Sequence, residues 1–165
     1  MNGIRLDRLN DRHNLTSARL AVFREAASVC LSRYHQPPTV LVLEDNGMRS
    51  LADLSWQEPD DRERATYANL HEAVEQGGYG CVLASLDHLR GLVAVRRADT
   101  GTGADYYVGP LGAGVDDLED CLRLEVSGLD AGNERQVRRR LIEKQQQARD
   151  GRAASRRWLA SSAFG

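Results

Sequence analysis

Asp105 opens the aromatic run "DYYVG", and Glu125 lies twenty residues later inside the apolar run "CLRLEVSG". Both runs have the short, β-branched and aromatic composition of strands, and along a strand alternate side chains share a face. Leu122, Leu124 and Val126 therefore point one way and Arg123, Glu125 and Ser127 the other, while Asp105 and Tyr107 share a face opposite Tyr106 and Val108. If the two strands pair in the matching register, Asp105 and Glu125 project side by side. Two carboxylates so placed repel unless a cation sits between them, and such pairs hold Mg²⁺ or Mn²⁺. A metal held there polarises a phosphate and activates water, which is the chemistry of phosphodiester cleavage. The same residues admit a scaffold reading, in which Asp105 is a turn residue after "TGTG" and Glu125 pairs with Arg96, Arg97 or Arg123.

Other chemistries find less footing. His13, His35, His71 and His88 form no H-x-x-x-H pair and lie near no CxxC, so zinc spacing is absent. Cys30, Cys81 and Cys121 are odd in number, far apart and set in apolar surroundings, as reduced, buried thiols are. The glycines of "GGYG" lack the Lys-Ser/Thr of a phosphate loop and read as a bend. Adjacent Tyr106 and Tyr107 read as one ring packed inward and one outward.

The elements that must position the two acids follow from periodicity and punctuation. From a cap at Asn14 or Thr16, Val22, Phe23, Ala26, Cys30 and Tyr34 recur at helical spacing until "QPP" stops the helix. "TVLVLEDNGMRSLADLSW" is two strand-like runs joined through Asn46-Gly47, which predicts a hairpin with strands near 39–44 and 48–56. After Pro59, a helix runs to Gln76, "GGYG" interrupts it, and "CVLASLDHL" forms a shorter second helix ending before Gly91. "LVAVRRA", "DYYVG" and "EDCLRLEVSG" then read as three successive strands. "GNERQVRRRLIEKQQQARDG" reads as a helix capped by Asn133. Residues 151–165 read as a flexible basic linker with a short apolar end, Trp158, Leu159 and Phe164.

This order predicts a single α+β domain over residues 1–150, with an initial helix and hairpin over 1–57, a core over 60–150, and a basic linker with an apolar tail over 151–165. The expected sheet has about five strands, mixed or antiparallel, with helices packed mainly on one face. The 165 residues, 41% hydrophobic and 28% charged, suit one globular core. No apolar run is long enough to span a bilayer, and polar residues stand where a signal peptide would carry its apolar segment, so no membrane contact and a cytoplasmic location are expected.

Charge is unevenly distributed. Residues 131–165 carry nine basic and three acidic side chains, a local net of +6, and the overall −2 leaves −8 on the rest. Arg138, Arg139, Arg140, Arg156 and Arg157 are thus candidate contacts to a nucleic-acid backbone, although a basic end can equally dock on an acidic body or an acidic partner. Trp158, Leu159 and Phe164 are too few to build a core but suffice to anchor a contact with the same domain, a protein partner or a second copy.

The succession of a helix, three strands and a helix, with "GAD" opening the second strand and "EVS" in the third, resembles the restriction-endonuclease-like superfamily known by the motif PD-(D/E)xK. That family adds a further strand after the last helix, which "RRWLASSAF" does not convincingly supply. The resemblance covers roughly residues 60–150 and implies Asp105 and Glu125 as metal ligands for Mg²⁺ or Mn²⁺, with Glu72 or Glu75 where the family often places another acid. The family's lysine falls at Ser127, whose hydroxyl carries no positive charge. Only Lys144, on the next helix, can take that place, because Arg123 stays protonated and cannot act as a base. The resemblance implies a nuclease-like protein of a defence or mobile-element system, with catalysis altered or lost. The competing class is a non-enzymatic immunity or adaptor protein that binds a protein partner.

Overall fold

The hairpin forms where Asn-Gly predicts it, because Asn46 and Gly47 take the positive φ values, 50° and 79°, that a tight two-residue turn needs. In the computed structural model, which describes residues 3–150 and 157–164 with side chains up to Gln146 and at Phe164, strands β2 (Thr39–Asp45) and β3 (Met48–Ser55) pair antiparallel around that turn. A two-residue strand β1 (Ile4–Arg5) adds to β3 in parallel, giving a three-stranded sheet in the order β1-β3-β2. A 3-10 turn (Leu6–Arg8) and α1 (Leu9–Arg12) lead into α2 (Ser17–Leu31), whose first turn is capped by Thr16 accepting the Arg19 N–H at 3.3 Å.

After Pro59 the capping box of Asp60 and Glu63 starts α3 (Asp61–Thr66), and Asn69 caps α4 (Leu70–Arg90), which ends on Gly91 at φ 64°. The expected bend at "GGYG" is absent, and α4 runs straight through it. Helix α2 lies too close for side chains at these positions: a Cβ on Gly80 would stand 2.7 Å from the Phe23 carbonyl oxygen, and one on Gly77 3.0 Å from the Ala27 nitrogen. The glycines serve packing between α2 and α4, and the break falls earlier, at 67–69, between α3 and α4.

The second sheet has four strands in the order β4-β5-β6-β7. Strands β4 (Leu92–Arg97), β5 (Tyr106–Pro110) and β6 (Leu122–Leu129) form an antiparallel meander. The chain leaves β6 through α5 (Glu134–Asp150) and returns as β7 (Arg157–Ala163), parallel to β6 with Leu124 opposite Trp158 and Leu129 opposite Ala163. Residues 157–163 of the expected tail are therefore a strand, and Phe164, 1% exposed, joins the core. The remainder of the expected linker, 151–156, lies outside the described residues. The apolar alternation of β7 is weak and its parallel partner is distant in sequence, so local pattern does not reveal it.

The α+β class holds, while the single sheet of about five strands gives way to a three-stranded and a four-stranded sheet. Helices also occupy both faces of the larger sheet. On one, a Cβ at Gly128 would meet the Val74 carbonyl oxygen of α4 at 2.6 Å, and Tyr106 packs with Phe23 and Tyr79. On the other, α5 reaches Glu125 and Ser127. The core lies between α2, α4 and the meander, with Phe23, Leu83, Leu86, Val108, Leu124 and Phe164 almost fully buried. The outer edge of β4 is filled by the N-terminal segment: Asn14 donates its N–H to the Ala94 carbonyl at 2.9 Å, and Ala94 donates its own to His13 Nδ1 at 2.9 Å. Among the described residues no helix is long and apolar enough to cross a membrane.

Candidate functional site

Tyr106 pairs with Leu124, so Asp105, the residue before one, and Glu125, the residue after the other, occupy adjoining places on β5 and β6. Asp105 donates its N–H to the Leu124 carbonyl at 2.7 Å, and its carboxylate Oδ2 accepts the Val126 N–H at 2.8 Å. One side chain thus stands in for the ladder partner that the end of β5 no longer provides, which fixes this carboxylate against the backbone of β6. Its other oxygen, Oδ1, is 4.0 Å from the Arg97 guanidinium of β4.

Glu125 is held differently. Its Oε1 lies 2.6 Å from Lys144 Nζ, with the two side chains 19% and 34% exposed. The crossover connection is what brings Lys144 there: α5 folds back across the sheet on the side of Glu125, with Arg140 one turn earlier donating to Ser127 Oγ at 3.1 Å and to the Gly128 carbonyl at 3.3 Å. The partner expected for Glu125 in a scaffold role was Arg96, Arg97 or Arg123; Arg97 instead faces Asp105, and Arg96 pairs with Asp99 at 3.2 Å.

The two acids neighbour each other along the backbone, but their carboxylates do not project side by side as expected: Asp105, at the end of β5, turns to the Val126 N–H, Arg97 and Tyr79 on the α4 side, while Glu125 engages Lys144 of α5 on the other. Among the described residues no three His, Cys, Asp or Glu side chains converge as a ready-made metal cluster. Of the two further acids on α4, Glu72 lies toward Tyr67, whereas Glu75 lines a cleft with Tyr79, Arg97 and Tyr106. Burial pushes the Tyr79 hydroxyl up to about 12, a shift that nearby Arg97 opposes and Asp105 reinforces, so this phenol stays a proton donor at neutral pH. The histidines are scaffold where their bonds are described: His13 is buried on β4 and His35 Nε2 lies 2.7 Å from the Phe164 carbonyl oxygen. Cys30 and Cys81 are free and buried, and burial pushes both thiols up to about 12.

The arginines predicted to meet nucleic acid are in part already engaged. Arg138 pairs with Glu44 at 2.9 Å and Glu134 at 3.0 Å, and Arg139 with Glu143 at 3.7 Å. With Arg49 pairing to Glu134 at 3.0 Å, these contacts tie α5 to the tip of the hairpin. Arg156 lies outside the described residues, and Arg157 begins β7. Sequence spacing missed Arg19 and Gln76, which face Arg97 across the cleft from α2 and α4. No periodic signal marks them, since they come together only through the α2–α4 contact.

Chemically, the arrangement offers two carboxylates on adjoining strands, a lysine in contact with one of them, and an arginine and a tyrosine beside the other. Comparison with family models, with curated proteins and with solved structures returned no match for the chain.

Proposed function

We propose that this chain is a nuclease-like, nucleic-acid-associated protein on the restriction-endonuclease-like plan, with Asp105 and Glu125 as the carboxylate pair and Lys144 in place of the lysine that Ser127 replaces. The observation that carries this reading is the 2.6 Å contact between Lys144 Nζ and Glu125 Oε1. Lys144 is the only lysine among 22 basic residues, and it is the one cationic side chain type here that can give up its proton. The succession of α4, antiparallel β4 to β6, α5 and parallel β7 supports the same reading, because it includes the final strand that the resemblance requires. A defence or mobile-element setting follows from the resemblance alone.

The donor set fits Mg²⁺ or Mn²⁺ in kind, being hard carboxylate oxygens, with the remaining positions left to water and substrate. When bound, such a metal supplies Lewis-acid polarisation of the phosphate and a more acidic water. The chain's own residues do the rest. The Val126 N–H holds Asp105 in one orientation, and Asp105 and Glu125 are the carboxylates that would hold the cation, Glu125 only once freed from Lys144. Lys144 would orient the attacking water, would accept that water's proton only after giving its own to solvent, and in its protonated form would offset charge on the phosphate oxygens.

The test is cleavage of supercoiled DNA, single-stranded DNA and RNA in Mg²⁺, Mn²⁺ or EDTA. Metal-dependent cleavage is expected, with a loss of about 100-fold or more in Glu125→Gln and in Lys144→Arg, which keeps the charge but not the removable proton. Absence of cleavage with either metal, together with a melting temperature indifferent to millimolar Mn²⁺, rejects the reading.

A second reading, an interaction protein, is favoured by one observation. Val42 pairs with Leu51 across the hairpin, Val40 shares their face, and all three are exposed, at 47%, 69% and 61%. Binding of a protein partner that Leu51→Asp abolishes, in a chain without nuclease activity, would establish it.

A further inference from the structure

A cleft of about 340 Å³ opens between the first turn of α2, the middle of α4 and the β4–β5 pair. Tyr79 and Tyr106 line it with ring centroids 5.4 Å apart, and the fully buried Phe23 packs behind them at 5.2 and 6.0 Å. Arg97 stands over Tyr106 at 4.9 Å, and Arg19, 6.0 Å from the buried Phe23 ring, lines the same cleft, so two guanidinium groups border it. Arg97 reaches it through an irregularity. The pairing of β4 with β5 shifts between Ala94 and Arg96, leaving Val95 as an extra residue and setting Arg97 opposite Tyr106. A bulge of this kind re-aims a side chain.

Three groups of the cleft have bonding capacity left over among the described residues. Arg19 forms no ion pair among the described residues, and Glu75, also on the rim, forms none with it within 4.0 Å. Arg97 lies 4.0 Å from Asp105 and also bonds the Tyr79 and Tyr106 hydroxyls, but the five N–H donors of a guanidinium exceed these acceptors. The Gln76 side-chain oxygen is buried and, among the described residues, has no hydrogen-bond partner. An occupant that completes all three carries an anion for the arginines and an N–H donor for the amide. It must also be compact, since this volume lies at the lower end of small-molecule sites. A nucleotide unit has these properties: a phosphate, a base with amino or imino donors, and a ring face that can lie on the Arg97 plane.

We infer that this cleft holds one unpaired nucleotide of a nucleic-acid strand, its phosphate between Arg19 and Arg97 and its base edge on Gln76, next to the phosphodiester presented to Asp105 and Glu125. The placement beside those carboxylates rests on the nuclease reading; the nucleotide site does not. Arg97 is the link, since it borders the cleft and faces Asp105. Arg19 and Gln76 are positioning residues in this arrangement. Glu75 disfavours a free anion entering from its side, which suits a phosphate delivered as part of a strand rather than inorganic phosphate.

The experiment is a titration of a fluorescein-labelled single-stranded oligonucleotide in EDTA, where no cleavage occurs, at several salt concentrations from about 50 mM upward. Arg19→Glu is expected to weaken binding about tenfold or more and to lower the salt slope by about one phosphate, with Arg19→Ala intermediate. Because Arg97 also covers buried rings, Arg97→Gln is read only alongside a melting curve, and the exposed Arg19 pair decides. Gln76→Met should weaken binding without changing the salt slope. Arg135→Glu, on the exposed side of α5, reports general electrostatics. An equal loss in Arg135→Glu and Arg19→Glu, or no loss in Arg19→Glu, overturns the nucleotide site. Binding of a 5′-mononucleotide as tight as that of the oligonucleotide overturns the strand as its source. Arg19-dependent binding in a chain that never cleaves retains the cleft and removes the nuclease reading; cleavage whose KM ignores Arg19→Glu does the reverse.

Discussion

At the scale of single residues, Asp105 has a structural duty whatever chemistry it performs. Removing its side chain leaves the half-buried Val126 N–H without an acceptor, so Asp105→Ala should cost about 1 to 2 kcal/mol in urea unfolding, whereas Asp105→Asn, which keeps an oxygen, should cost less than half of that. If both variants unfold at the parent's midpoint, the bond contributes nothing. His13 supplies a pH signature. Burial depresses its pKa from 6.5 to about 4, with Asp87 opposing the shift and Arg12 adding to it. The unfolded chain therefore binds the proton that the fold refuses, and this contribution is complete above pH ~6.5 and lost as the pH falls toward ~4. Its upper limit is about 3 kcal/mol. In His13→Gln, where an amide oxygen can still accept the Ala94 N–H, the stability difference from the parent should shrink across that window. A constant difference from pH 7 to pH 4 would mean that His13 does not titrate there.

Elements were legible in the sequence where their signals are local. Asn46-Gly47 announces its hairpin because the two residues themselves adopt the turn, and Thr16 announces α2 because it caps that helix's first turn. Strand pairing likewise sets Asp105 and Glu125 on adjoining strands, whereas the Lys144–Glu125 contact depends on how α5 crosses the sheet and was not foreseen. What required a second element stayed hidden. "GGYG" reads as a break because glycine disfavours an isolated helix, and only the proximity of α2 explains its use inside α4. Arg97 meets Asp105 and Tyr106 through a strand bulge that no spacing rule anticipates. The glycine contact gives a direct test. Gly80→Ala gains about 1 kcal/mol in helix propensity but places a methyl 2.7 Å from a backbone oxygen, and overpacking of this kind costs about 1 to 3 kcal/mol. A net loss of stability is expected by thermal unfolding, and a more stable variant would show that α2 can move away freely.

For the whole molecule, the decisive feature is that β7 completes the larger sheet from far along the chain. Phe164 follows it into the core, donates its N–H to the Leu129 carbonyl at 3.1 Å, and is 1% exposed. Phe164→Ala should therefore lose about 3 to 5 kcal/mol, the usual cost of truncating a fully buried aromatic ring. A loss below about 1 kcal/mol would make residues 157–164 an appendage. Charged contacts tie the hairpin to α4 and α5, since Arg90 holds Asp45 with two bonds of 2.8 Å and Arg138 holds Glu44. Much of the basic charge of α5 is thereby spent inside the molecule, which leaves the Arg19–Arg97 cleft as the better-placed ground for an anionic strand.

The closure of the β4 edge carries a consequence for self-association. An open strand edge is a template on which another chain can add, and proteins commonly guard such edges with charge, proline or a covering loop. Here an imidazole and an asparagine backbone do so, with His13 accepting the Ala94 N–H through a nitrogen that can take up a proton. Acid converts that acceptor into a donor facing a donor, so the contact that terminates the sheet at neutral pH becomes repulsive, and the first edge offered to a neighbouring molecule in acid is that of β4.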